Sequence, residues 1–286
     1  MNIRLHHLIA AALLLGGLSW LAPAHAAESY DNCTGFIDTL PAVVGTQGVW
    51  CLRAHQVPPI TTGAAITVNA NNVTIDCNGF KLGSLPADPA STYRGILAIN
   101  RRNVTVRNCN VQGFHIGIHL SGSGSGGALV EDNLLYGNLY TGIAVNGADN
   151  LIRRNRVIST GGAPNSEGNT YGIDARADLE DNTVDHVFTT TGVLDPVQFP
   201  VGIRMLGDGT EARGNQLRMQ ADNQPEIHIV VAGHHVTVAG NTMYSRHSSG
   251  AVAATGIQGN GAGNTFCSGN VAPATNPEVA DCQNFD

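Results

Sequence analysis

The chain has 286 residues, with 15 Lys and Arg against 22 Asp and Glu, for a formal charge of −7. That acidic balance disfavours nucleic acid and anionic membrane surfaces as partners. No stretch after the N-terminal region approaches the roughly 20 apolar residues a spanning helix needs, so no membrane span is expected.

The first predicted element is MNIRLHHLIAAALLLGGLSWLAPAHA, residues 1–26. A basic Arg4, an apolar run from Ala10 to Leu15, and Ala24-His25-Ala26 before Ala27 form the pattern of a cleaved secretory signal. The predicted location is therefore secreted or periplasmic. Cleavage removes Arg4 and leaves 14 basic residues against 22 acidic ones, a charge of −8. All six cysteines come after the signal and form no CxxC or Cys/His cluster, which suits disulfides in an oxidising compartment better than a zinc site. The expected pairs are Cys33 with Cys51, Cys77 with Cys109 and Cys267 with Cys282, buried thiols being the alternative for Cys77 and Cys109.

Residues 27–63 are predicted as an N-terminal cap and first coil, 64–272 as a repeat, and 273–286 as a C-terminal cap that covers raw strand edges. Within the repeat, apolar-x-apolar-x-x-Asn-x-apolar recurs eight times, from VTIDCNGF at 73–80 to TFCSGNVA at 265–272. The sixth positions are Asn78, Cys109, Asn133, Asn155, Asn182, Asn215, Asn241 and Asn270, spaced 22 to 33 residues apart. The eighth positions are all apolar, beginning with Phe80, Val111 and Leu135. Between copies lies a Gly-Ile pair: Gly95-Ile96, Gly117-Ile118, Gly142-Ile143, Gly172-Ile173, Gly202-Ile203 and Gly256-Ile257, with His228-Ile229 replacing one glycine.

Apolar residues at every second position predict strands, and several short strands per unit joined by Asn and Gly turns predict one coil of a β-solenoid. A coil cannot bury its own apolar face, so coils stack, each strand pairing in parallel with its equivalent about 4.8 Å along the axis. The fold class is an all-β, single-stranded parallel β-helix of about eight coils, right-handed by the crossover preference. The repeated Asn, whose amide both donates and accepts, is expected to form a ladder at an inward turn. At the fourth position Asp76, Arg107, Glu131, Arg153, Glu180 and Arg213 alternate in sign. Stacked neighbours favour such alternation, so this column is assigned to structure and not to a site.

The recurrence of Asn-x-apolar and Gly-Ile through residues 64–272, with NNVTIDCNGFKL as the opening coil, resembles the right-handed parallel β-helix proteins of the pectin-lyase-like superfamily. The resemblance implies a scaffold suited to long saccharides and does not fix a chemistry. Arg-x-x-Pro-x-x-Arg of pectate lyases, Asp-Asp with Arg-Ile-Lys of polygalacturonases, and Asp-Pro-His-Asp of alginate epimerases are all missing.

Strict alternation around an inward isoleucine points the glycine outward, together with the residues two before and two after it. The outward columns then read Tyr93, His115, Tyr140, Thr170, Pro200, Glu226 and Ala254, and Leu97, His119, Ala144, Asp174, Arg204, Val230 and Gln258. Repeated glycine between them predicts a floor without side chains. The loops 81–94, 158–171 and 185–201 are long enough to wall it. Tyr93, His115 and Tyr140, with Gln258, are the candidate substrate-binding residues; His119, Asp174, Arg204, Glu226 and His228 are the candidate catalytic ones. His234-His235 is read as a solvated turn.

Two functions are compatible with these residues. A polysaccharide-processing enzyme acting on uronates would use His119 as base and Arg204 to hold the developing charge, with Ca2+ on Asp174 or Glu226 to offset the acidic surface. On a neutral polymer, Asp174 and Glu226 would form an acid and base pair. A noncatalytic carbohydrate-binding or surface protein needs only the rings and the groove, and a purely structural solenoid needs no site at all. The expected partner is a polysaccharide or glycan, and the expected state a monomer.

Overall fold

The structure is a computed structural model. It describes residues 30–58, 62–83, 85, 88–164, 168–189, 199–220, 225–245, 254–259, 265–272 and 282–284. The predicted signal and most of the predicted C-terminal cap lie outside the described residues. The repeat lies within one compact unit, Cys33–Asp286.

Three parallel sheets of eleven, nine and seven strands form this unit, and each strand hydrogen-bonds to its equivalent one coil away. The nine-stranded sheet carries the Gly-Ile pairs and is called here the glycine sheet. The eleven-stranded one carries the alternating charges and is called the charge sheet. Each complete coil runs from the glycine sheet to the charge sheet to the third sheet. Among the described residues seven such coils occur, from the strands Ala64–Val68, Val73–Asp76 and Lys81–Gly83 to Glu226–Val231, Val236–Ala239 and Thr242–Ser245. Register pairing begins earlier, with Ala42–Val44 against Ala64–Val68, and the short strand Cys282–Asn284 adds a rung beside Thr265–Ser268.

The isoleucines of the Gly-Ile pairs superpose. Ile66, Ile96, Ile118, Ile143, Ile173, Ile203, Ile229 and Ile257 pair in one unbroken register, and each is fully buried. Burying one such side chain stabilises by about 1.5–3 kcal/mol, and the column repeats that gain at every coil.

The corner between charge sheet and third sheet is built from the repeated Asn. Each Nδ2 from Asn133 to Asn241 donates to the Oδ1 of the next, at 2.9–3.0 Å through Asn155, Asn182, Asn215 and Asn270. Each also donates to a strand carbonyl of the preceding coil, as Asn182 does to Ile152 at 2.9 Å. The residue before Cys109 and before each ladder Asn takes a left-handed turn: Asn108 (φ 54), then Asp132 (φ 57), Arg154 (φ 53), Asp181 (φ 53), Gly214, Gly240 and Gly269. That turn exposes the preceding side chain and sends the Asn amide inward, where its donors and acceptor are all used.

The ladder stops at Cys109, whose backbone N–H still donates to Asn133 Oδ1 but whose sulfur bonds to Cys77. Cys33 pairs with Cys51. Cys267 is also disulfide-bonded, and the side chain of its expected partner Cys282 lies outside the described residues. The structure corrects one alignment of the repeat. Val111 pairs with Leu82 and not with Phe80, because the first copy carries two extra residues in its turn. Phe80 only packs against the core's edge, its ring edge-on to His55 at 5.5 Å.

The charge column stacks as expected. Asp76 pairs in register with Arg107, Arg107 with Glu131, Glu131 with Arg153, Arg153 with Glu180, and Glu180 with Arg213.

Candidate functional site

The glycines do not face outward. A Cβ placed on Gly142 would lie 2.5 Å from Val157 Cγ1 and 2.6 Å from the carbonyl of Gly172, and one on Gly172 would lie 2.5 Å from Val184 Cγ1. Glycine and the isoleucine after it both point inward, so the two-residue alternation breaks at the glycine. Glycine is required because the third sheet's branched side chains and the next coil's backbone already fill that space. The side-chain-free floor predicted from the sequence is therefore absent from the surface.

His228, standing in the glycine column, confirms the direction: it is fully buried. Its Nδ1 donates to the carbonyl of Thr255 at 3.1 Å and its Nε2 accepts from Ser245 Oγ at 3.4 Å. Glu226 is also fully buried. Neither shares a surface with Asp174, so the predicted Asp174 and Glu226 pair is not assembled. The two carboxylates offered for Ca2+ do not converge either: Asp174 spends both oxygens on Arg204 and Glu226 is interior. Among the described residues no group of three or more His, Cys, Asp or Glu is arranged to hold a metal ion.

With alternation reset at the glycine, the outward residues of the glycine sheet are the one before it and the one two after it. The second of these columns was predicted correctly. His119 pairs in register with Ala144, Ala144 with Asp174, and Asp174 with Arg204. The column before the glycine reads Arg94, Ile116, Thr141, Tyr171, Val201 and Ile227, and it supplies two residues that the sequence reading missed. Arg94 Nε donates to His119 Nδ1 at 3.0 Å. The Arg204 guanidinium lies 4.1 Å from the centre of the Tyr171 ring, while its Nε and Nη2 grip Asp174, both at 2.7 Å. Tyr171, Val201 and Ile227 form a small apolar cluster of their own, apart from the main core. An arginine and a tyrosine in a column otherwise of Ile, Val and Thr were the available signal.

The residues two before the glycine sit at the corner leading into this face. His115 and Tyr140 stack, with ring centres 5.1 Å apart and planes 15° apart. Tyr93 does not join them; it is 3 % exposed and leans on Phe114 at 5.5 Å. Gln258 is exposed in the outward column, two strands past Arg204, away from the cluster. His234 and His235 are exposed on a turn, as predicted. The expected loop walls fall partly outside the described residues; of the described part, Gly168 approaches the Tyr140 hydroxyl.

One rung separates the two halves of the site. In the Thr141–Val145 strand Ala144 is half-buried and Thr141 is only 2% exposed; the strand lies between Arg94 and His119 on one side and Tyr171, Asp174 and Arg204 on the other. Two strand spacings, about 10 Å, lie across this gap. Of the five residues of this strand only Ala144 is not buried.

That arrangement sets the electrostatics. Burial, with help from the Arg94 charge and against the pull of Asp174, lowers the His119 pKa to about 4. Burial and Arg94 lower that of His115 as well. Burial raises the Tyr140 and Tyr171 hydroxyls, so both rings are neutral phenols at pH 7. An arginine can only donate, so His119 Nδ1 accepts from Arg94, and the neutral ring carries its proton on Nε2, which donates to Ser121 Oγ at 3.0 Å.

Residues 94–197 match the family model described as the right handed beta helix region. That match and the seven coils stacked in parallel among the described residues fit a right-handed parallel β-helix. Two solved structures are similar to it at low identity. The Dettilon tailspike protein is 11% identical over 87% of this chain, with a TM-score of 0.39; the chain spans 60% of that protein's length. An alginate lyase from Paenibacillus sp. str. FPU-7 is 16% identical over 75% of this chain and 94% of its own, with a TM-score of 0.31. No curated protein sequence matches the chain. No helix among the described residues is long and apolar enough to cross a membrane.

Proposed function

We propose that the protein binds a polysaccharide across the outer face of the glycine sheet, with the Thr141–Val145 rung as the floor. The observation that carries this reading is the small Ala144 side chain between His119 and Asp174, edged by the stacked His115–Tyr140 ring pair. Aromatic faces suit the apolar faces of sugars, and guanidinium and carboxylate groups suit their hydroxyls. The disulfides fit an oxidising, extracytoplasmic compartment where such polymers are met.

Binding fits the geometry better than catalysis. A general base needs a free lone pair within reach of the substrate. His119 gives its lone pair to Arg94, Asp174 is chelated by Arg204, and both tyrosines hold their protons more tightly than usual. The test is retention of the purified protein on immobilised neutral and acidic polysaccharides, for wild type and Tyr140→Ala. Retention by the wild type, weakened at least tenfold by the substitution with no change in unfolding temperature, is expected. Equal retention by both proteins removes the ring pair from the site, and release of new reducing or ultraviolet-absorbing ends would replace binding with turnover.

A further inference from the structure

Asparagine is followed by glycine at Asn78-Gly79, Asn146-Gly147 and Asn260-Gly261, and the last pair lies outside the described residues. Such a dipeptide carries its own electrophile and nucleophile. The side-chain carbonyl carbon of the asparagine is near the next backbone nitrogen, and glycine puts no Cβ in the way of their approach. Whether the two can join depends on what else holds them.

At Asn78-Gly79 both groups are held by other coils. Gly79 N donates to the carbonyl of Asn108 at 2.7 Å, and Asn78 Nδ2 donates to the carbonyl of Leu52 at 3.3 Å. At Asn146-Gly147 the two groups hold only each other. Gly147 N donates to Asn146 Oδ1 at 2.8 Å, and neither Gly147 N nor the Asn146 side-chain amide bonds to any other described residue. Asn146 is exposed, at the corner just after the strand Thr141–Val145.

We propose that Asn146 is a site of spontaneous deamidation through a cyclic imide with Gly147, and that the stacked coils protect Asn78 from the same reaction. Hydroxide takes the proton of Gly147 N, and that nitrogen bonds to Asn146 Cγ. The Cγ–Nδ2 bond breaks, and the leaving nitrogen takes a proton from water and departs as ammonia, which regenerates the hydroxide. Water then opens the imide at one of its two carbonyls and leaves aspartate or isoaspartate. Ring closure at Asn146 breaks one hydrogen bond, internal to the pair; at Asn78 it breaks two between coils. The additional bond and the stacking that holds it slow closure at Asn78 by about tenfold or more.

The product changes the charge of this corner. Gly147 lines a recess of about 240 Å³ that also includes Asp149, Asp178, Asp208 and Arg176. Three carboxylates already stand there against one guanidinium, and deamidation adds a further negative charge beside them.

The experiment ages the purified protein at mildly alkaline pH, digests it, and follows the peptides containing Asn146 and Asn78 by mass spectrometry, with isoaspartyl methyltransferase labelling to mark isoaspartate. A parallel sample is aged in urea with the disulfides reduced. In the folded protein the Asn146 peptide is expected to convert about tenfold or more faster than the Asn78 peptide, and in urea the two rates should converge. No conversion at Asn146 in the folded protein, or conversion of Asn78 at an equal rate, overturns the proposal. A rate ratio that urea leaves unchanged overturns it as well, because the difference would then come from the neighbouring residues in sequence and not from the coils.

Discussion

Two outward columns of this solenoid look alike in sequence and differ in what they leave over. On the charge sheet, Asp76, Arg107, Glu131, Arg153, Glu180 and Arg213 alternate on consecutive rungs, and the carboxylates of Asp76 and Glu131 are held by the arginines of the next rung. On the glycine sheet, His119, Ala144, Asp174 and Arg204 also occupy consecutive rungs, but alanine interrupts the order. Asp174 and Arg204 satisfy each other, and among the described residues no carboxylate pairs with Arg94, which bonds to His119. A column whose charges cancel between rungs has nothing to offer a ligand; one interrupted by alanine leaves a small side chain between its charged members.

The comparison can be broken at the scaffold the columns share, and there the largest effect is expected. Asn182→Ala removes the bonds from Nδ2 to Ile152 and Asn215 and takes the Oδ1 acceptor from Asn155. With each buried group left unpaired costing about 1–3 kcal/mol, a loss of about 3 kcal/mol or more should appear in urea unfolding. Gly142→Ala comes next. If glycine faced solvent the change would be harmless; because its Cβ meets Val157 and the Gly172 carbonyl, a loss of about 2 kcal/mol is expected in the same measurement.

Glu131→Ala strips the acceptor shared by Arg153 and Arg154. Those arginines are partly solvated, so the loss should be about 1 kcal/mol, with polysaccharide retention unchanged. Ala144→Leu reverses that pattern: stability within about 0.5 kcal/mol of wild type, and retention lost because the floor is filled. Retention that survives a leucine there would move the site elsewhere. The smallest effect concerns pH. The folded His119 pKa lies below its ordinary 6.5, at about 4, so the unfolded chain binds the extra proton between those values. Stability conferred by the neutral ring is therefore present above pH 6.5 and lost as pH falls toward about 4. His119→Gln should flatten that limb of a plot of unfolding temperature against pH.

Much of the fold was legible because it is periodic. The isoleucine column, the Asn ladder and the alternating charges repeat at each coil, and a repeated side chain needs a stacked equivalent beside it. Phe80 was misplaced because two extra residues in one turn shift a local register that the motif's letters conceal. The site was half legible. His119, Asp174 and Arg204 come after the inward isoleucine by unbroken alternation, and they stand where expected. Tyr93, Glu226 and His228 precede or replace the glycine, and there the counting fails.

The order of residues by itself determined which side chains recur, and with them the coil, its stacking axis and its charge column, since each comes from a local period of two and a longer period of one turn. Only the tertiary structure decided which way the glycines face. That direction depends on the third sheet's Val157 and Val184 filling the interior opposite them, a steric fact carried by residues distant along the chain. The same packing brings Arg94 onto His119 and Arg204 over the Tyr171 ring, so the character of this face of the glycine sheet is a property of the stacked coils together and not of any one of them.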